Sequence, residues 1–213
     1  GDPCDITIDD RCGQSGFPRK ATIIATTNAV YIFDAMSNSM WMKFDQAATN
    51  SLGADTNNNP SSVFALNGVV YVGTNGTAGT GLYAIDFFQD KLYRYNATNR
   101  TLGDKNIANR NTAVSYAADA LTALAINRAI VNDVHGAVMS GGNTTAVTNG
   151  GSQNGGVFIA VATADRASVI NLSSGRTFDY SPATTDDVMQ VWVTKRGRFY
   201  LPYQTLGQVE QYN

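Results

Sequence analysis

The amino-acid sequence predicts an all-β fold built as a β-propeller or a propeller-like array of antiparallel blades, suited to being part of a larger propeller. Three observations predict it. Runs of β-branched and aromatic residues recur as short strands, most clearly over residues 61–96, SSVFAL-NG-VVYVGT-NGTAGT-GLYAIDF-FQD-KLYRYN. Residues 21–45 and 155–181 echo the second half of that unit, and a related stretch closes the chain from Val188. Within each run apolar residues alternate with polar ones, and turn signals return at intervals of about 8–12 residues, the pattern of short strands in an up-and-down sheet.

Residues 1–19 read as an extended leader, rich in turn formers, lying on the domain or on a neighbour. The propeller-like domain is 20–213. Its first unit, about 20–58, alternates through Ile23, Val30, Ile32, Met40, Met42 and Phe44, with a tight link at Thr27-Asn28. The second unit, 59–96, contains Asn67-Gly68, a dipeptide that tolerates the positive φ of a type I′ hairpin turn. Residues 97–129 read as an insertion. Within it Thr112 to Ile126 is rich in Ala and Leu, lacks Gly and Pro, and spaces Val114, Ala117, Ala118, Leu121, Leu124 and Ala125 as a helix would, which predicts a short helix.

The third unit, 130–181, holds a low-complexity tract, Ser140 to Gly156, that reads as a long hairpin tip. The fourth unit is 184–213. Asp34, Asp86 and Asp179 fall near strand ends, where a carboxylate hydrogen-bonds turn backbone. The first and fourth units each fall one strand short of a blade. The expectation is a piece of a larger array whose open strand edges pair with another copy or with more of the same chain.

Composition bounds the function. Charged residues make up 15% of the chain, against roughly 25% in ordinary soluble domains. The net charge of −2 and a pI near 5.2 offer nothing to a polyanion, so nucleic acid is not an expected partner. No apolar run reaches the roughly 18 residues a membrane-spanning helix needs. The first residue is Gly1 rather than Met, as in a processed or excised segment.

No catalytic constellation emerges. His135 is the single histidine, so no site with two imidazoles can form, and its strand setting favours a side chain satisfied by a neighbour over a general base. Asp5, Asp9 and Asp10, and separately Asp186 and Asp187, lack the ordering of a calcium loop. No catalytic residue, metal ligand or cofactor is assigned. Cys4 and Cys12 are either a small disulfide loop or two free thiols. Trp41, Trp192 and Tyr203 are the candidates for stacking on a sugar ring, although strand aromatics more often fill cores. Asn75, Asn96, Asn99, Asn143 and Asn171 head N-x-[ST] sequons in a chain rich in Asn and Thr.

The motifs SSVFALNGVVYVGTN…GLYAIDFFQDKLYRYN and ATTNAVYIFDAMSNSMWMKFD, with IVNDV and VFIAVATADRASVINLSSG further on, resemble the repeats of tail and other virion proteins of marine tailed bacteriophages. The resemblance covers about 21–96 and 130–181. It implies blades within a longer tail or receptor-binding protein and carries no catalytic residue. The resulting expectation is a non-enzymatic structural or interaction protein, located in a virion or outside the cell, engaged in assembly or host attachment. Its partners would be other copies, neighbouring virion proteins or a host cell-surface glycan. Two alternatives stand beside it: a lectin-like propeller module, and a propeller hydrolase or lactonase with a central metal.

Overall fold

The computed structural model describes residues 17–46, 52, 58–76, 80–119, 124–139, 156–180, 186–204 and 209–212. The Cys4–Cys12 pair and nearly all of the 140–156 tract lie outside the described residues. Among the described residues four antiparallel sheets follow one another along the chain, each a meander of consecutive strands. The first is β1 (Ala21–Ala25), β2 (Ala29–Asp34) and β3 (Ser39–Asp45). The second runs β4 (Pro60–Leu66), β5 (Val69–Thr74), β6 (Leu82–Asp86), β7 (Lys91–Tyr95), β8 (Arg100–Gly103) and β9 (Tyr116–Ala118). The third is β10 (Val131–Met139), β11 (Gly156–Thr163), β12 (Arg166–Asn171) and β13 (Arg176–Tyr180). The fourth is β14 (Trp192–Val193), β15 (Phe199–Pro202) and β16 (Val209–Tyr212). The chain is therefore an all-β, propeller-like array.

Strand alternation gives each middle sheet two buried faces. Val70, Val72, Tyr83, Ile85 and Leu92 of the second sheet pack on Val30, Ile32, Met42 and Phe44 of the first. The opposite face, through Tyr71, Leu82, Ala84, Tyr93 and Tyr95, meets Ile159, Val161 and Ile170 of the third. The far face of the third sheet, with Phe158, Ala160, Ala167 and Val169, packs on Val193, Phe199 and Leu201 of the fourth. Burial of each such Val, Ile or Phe stabilises the stack by about 1.5–3 kcal/mol relative to exposure.

The first strands of sheets two, three and four lie side by side, β4 against β10 and β10 against β14, with β1 beside β4. Gly73 of β5 permits this approach, because a Cβ there would sit 2.5 Å from Val131 Cγ1 and 2.6 Å from Ser62 Oγ. Ser61 Oγ donates to the Val131 carbonyl at 2.7 Å and ties the second sheet to the third.

The hairpin at Asn67-Gly68 has the expected backbone, with φ of 51° and 72°. One turn recurs three times. Asp34 Oδ1 accepts the Met36 N–H, Asp86 Oδ1 accepts those of Phe88 and Gln89, and Asn171 Oδ1 accepts those of Ser173 and Ser174. Four residues beyond each of these, Asn38, Asp90 and Gly175 adopt positive φ. Asp34 and Asp86 thus hold turns as expected. Asp179 instead accepts the Ser168 hydroxyl at 2.7 Å, and Asn171 fills the equivalent turn position.

The helix predicted over 112–126 is corrected over its first part, and residues 120–123 lie outside the described residues. Tyr116–Ala118 is a strand, with Thr101↔Ala118, Leu102↔Ala117 and Gly103↔Tyr116 in register. A 3-10 turn, Ile107–Asn109, precedes it, and the side chain of its N-cap, Asn106, accepts from Asn109. Val114 sits in the first core and Tyr116 packs edge-on to Tyr83 at 5.6 Å. Those contacts outweigh the weak helix propensity of a short Ala-rich segment. Residues 100–118 therefore extend the second sheet.

Candidate functional site: an aromatic groove beside the first strands

The first strands of sheets two to four carry one aromatic or imidazole ring each. Phe64 of β4, His135 of β10 and Trp192 of β14 form a ladder, with centroids 4.6 Å apart between the first two and 4.3 Å between the last two. His135 and Trp192 are nearly parallel, at 27°. The ladder lines a groove of about 740 Å³, with Leu66, Val138, Thr194 and Lys195 along its sides. Gly136 keeps the wall thin, since a Cβ there would lie 2.9 Å from the Phe64 ring.

A row of side chains on β10 fixes the fourth sheet against the ladder. Asn132 Nδ2 donates to the Val188 carbonyl at 3.0 Å. Asp133 Oδ2 accepts the Val191 N–H at 3.1 Å, and His135 Nδ1 accepts the Val193 N–H at 3.3 Å. The alternation of 133 and 135 matches that of 191 and 193, as two-residue periodicity requires. Burial pushes the His135 pKa below the usual histidine range, partly offset by the Asp133 charge. Burial also raises the Asp133 carboxyl, opposed by its bonds to the Val191 and Val134 amides. His135 is thus a neutral ring that accepts at Nδ1, the neighbour-satisfied strand residue expected of it.

The three proposed stacking residues separate. Trp192 is 59% exposed and lies in the groove. Trp41 is 3% exposed and Tyr203 is 4% exposed, so neither can meet a sugar, and both are withdrawn as stacking residues. A β-bulge explains Trp41. Ile32 pairs with Met42 and Phe33 with Met40, which leaves Trp41 as the extra residue and turns it inward beside Met42. There it packs 5.7 Å from Phe17 and 5.4 Å from Phe87. Phe17, from the stretch read as a leader, packs on its own domain. Tyr203 bridges to Val188 and closes the core between sheets three and four.

Sequence reasoning singled out Trp192 and His135 but did not place them together, and it missed Phe64. The one available signal was the shared position of Phe64 and Trp192 on strands that precede a tight turn, Asn67-Gly68 in one and Arg196-Gly197 in the other. Among the described residues no group of three or more His, Cys, Asp or Glu side chains gathers as a metal site. Among them also, no helix is long and apolar enough to cross a membrane.

No family model matches the chain. No curated protein matches it either. Similar solved structures include the WD40 domain of Pan2 from Neurospora crassa, at 12% identity and a TM-score of 0.36 over 92% of this chain and 61% of that one. Another is the β-propeller domain of Cps50 (Swd1) from Myceliophteria thermophila, at 9% identity and a TM-score of 0.35 over 90% and 64%. A protein of unknown function from Bacteroides caccae matches at 9% identity and a TM-score of 0.39 over 92% and 54%. The chain spans about half to two thirds of the length of these structures. The similarities are distant, and no ligand or partner follows from them.

Proposed function

We propose that this chain is a binding module of an extracellular particle, a phage virion in the reading its repeats suggest, which attaches to a host cell-surface glycan through the groove at Trp192. The observation that carries the proposal is the exposed Trp192 indole, backed on one side by the His135 ring and open toward a groove of about 740 Å³. An indole held rigid by a ring beneath it offers a flat apolar face at little entropic cost, and a polar edge beside it. The C–H face of a pyranose matches such a surface. Thr194 and Lys195 at the margin supply a hydroxyl and an ammonium to the sugar hydroxyls.

The His135 ring in the groove wall is committed to the Val193 amide, and Asp133 behind it to the Val191 amide, so both hold the wall in place. The low charge and the Asn/Thr-rich composition fit a particle surface, and the repeat resemblance supports the virion setting.

The test is a glycan array probed with the wild-type chain and with Trp192→Ala. Binding to a defined set of glycans, lost in the variant, supports the proposal. A wild-type chain that binds no glycan but associates with other virion proteins would replace attachment with assembly.

A further inference from the structure

A second pocket lies away from the groove, on the face of the second sheet that meets the third. Its volume is about 190 Å³, room for about six waters at ~30 Å³ each. Strand register builds it. Tyr71, Ala84 and Tyr93 are cross-strand partners in one row, Val69 and Asp86 form a second, and Leu82, Tyr95 and Arg100 form a third. Ala84 is the small residue at the centre, and the larger side chains around it leave the hollow.

The polar groups are arranged as complementary donors and acceptors. The Tyr93 hydroxyl donates to Gln89 Oε1 at 2.9 Å, which leaves the Gln89 amide nitrogen as a donor. Arg100 directs both Nε and Nη2 to Asp119 Oδ2, at 2.8 and 2.5 Å, and its guanidinium lies 4.7 Å over the Tyr93 ring. The Arg100 charge is thereby matched by Asp119. Asp86 Oδ1 is occupied by two turn amides. Tyr71 lines the pocket, is 2% exposed, and its hydroxyl makes no hydrogen bond among the described residues. Burial, with Tyr95 and Asp86 nearby, holds the Tyr71 phenol well above its ordinary range, so it remains a donor at any physiological pH. The hydroxyl of this otherwise buried side chain therefore opens into the hollow, where water or the hydroxyl of a ligand supplies its bond.

We infer that this pocket binds one neutral, hydroxyl-rich small molecule, a single saccharide ring or a polyol, with Tyr71 as its recognising donor. The charge pattern selects this class. The Asp86 carboxylate repels an anion, and the Arg100 cation that would attract one is held by Asp119. A hydroxyl both donates and accepts, so a polyol satisfies the carboxylate, the Gln89 amide and the Tyr71 hydroxyl together, while Tyr93 is held by Gln89 and Tyr95 by Arg100. The volume admits one ring and not an oligosaccharide. The site is independent of the Trp192 groove.

Titration calorimetry on the wild-type chain with glucose, galactose, mannose, rhamnose and glycerol, and with phosphate and acetate as anion controls, tests the assignment. At least one neutral compound is expected to bind and the anions are not. Tyr71→Phe, which removes one oxygen and keeps the ring, should weaken binding roughly tenfold or more when it is made in the Trp192→Ala background, where the groove no longer contributes. Gln89→Ala gives the same reading should Tyr71→Phe fail to fold. The inference is overturned if none of the neutral compounds binds, if phosphate or acetate binds instead, or if sugar binding follows Trp192 and ignores Tyr71 and Gln89.

Discussion

The Nδ1 of His135 accepts the backbone N–H of Val193 at 3.3 Å, so the imidazole that backs the exposed Trp192 also fastens the fourth sheet to the third. One ring therefore carries both the binding surface and a joint between blades. It can do so only while neutral, because a protonated Nδ1 has no lone pair to offer.

That requirement makes the joint pH-sensitive. The folded-state pKa of His135 is depressed by burial, so the unfolded chain takes up the proton first as pH falls. The contribution of His135 is complete above the unfolded histidine value of about 6.5. It is lost as pH falls from there through the lower folded value. Asp133 acts in the opposite sense, since its raised pKa favours the protonated form in the fold. Its effect belongs to the acidic range just above the ordinary carboxylate value. Urea midpoints at pH 7.5 and pH 5 should show the wild type weaker at pH 5. His135→Gln should show a smaller difference between the two. Equal pH dependence in both proteins would remove His135 from the joint.

Gly73 of the second sheet packs directly against Val131 of the third. Gly73→Ala places a methyl against Val131 and Ser62 and should cost about 1–3 kcal/mol through overpacking. The expected result is a lower urea midpoint with an unchanged slope. A midpoint equal to wild type would mean that the sheets part without strain.

The recurring turn rests on one side-chain oxygen. Asn171→Ala removes the acceptor for two backbone amides and should cost about 1–2 kcal/mol, whereas Asn171→Asp should be close to neutral, as Asp fills the same position at 34 and 86. Thermal melts of the two variants check the contrast. Asn171 is also 1% exposed, so its sequon should not be glycosylated even in a secretory host.

Phe158 is fully buried between sheets three and four. Phe158→Ala should cost about 3–5 kcal/mol, and its equilibrium unfolding should separate the fourth sheet from the rest if that interface is the weaker one. A cost under 1 kcal/mol would mean that the two sheets do not share the core described.

The strand pattern was legible wherever a sheet has one phase of alternation. Val70, Val72, Ile85 and Leu92 face one way and Tyr71, Ala84 and Tyr93 the other, and the turn at Asn67-Gly68 follows from backbone sterics alone. Legibility failed where one residue shifted the phase. Trp41 reads as outward-facing by alternation from Met42, and the bulge reverses it. The segment 112–126 failed for a different reason. A three-residue edge strand is too short to show a period of two, while its alanines and leucines fall at helical spacing by composition. Trp192, Tyr203 and Trp41 were equivalent as sequence, because only the packing of neighbouring sheets decides which aromatic face is left uncovered. Phe64 and His135 meet across β4 and β10, about 70 residues apart, a distance over which no local pattern carries information.

The most direct measurement of the central claim is the fluorescence of Trp41→Phe, in which Trp192 is the one remaining tryptophan, titrated with glycans chosen from the array. Emission should begin at long wavelength, as for an exposed indole. It should shift to shorter wavelength and lose its quenching by acrylamide as ligand saturates the groove. Saturable glycan binding with no change in Trp192 emission or quenching would contradict the groove as the binding surface.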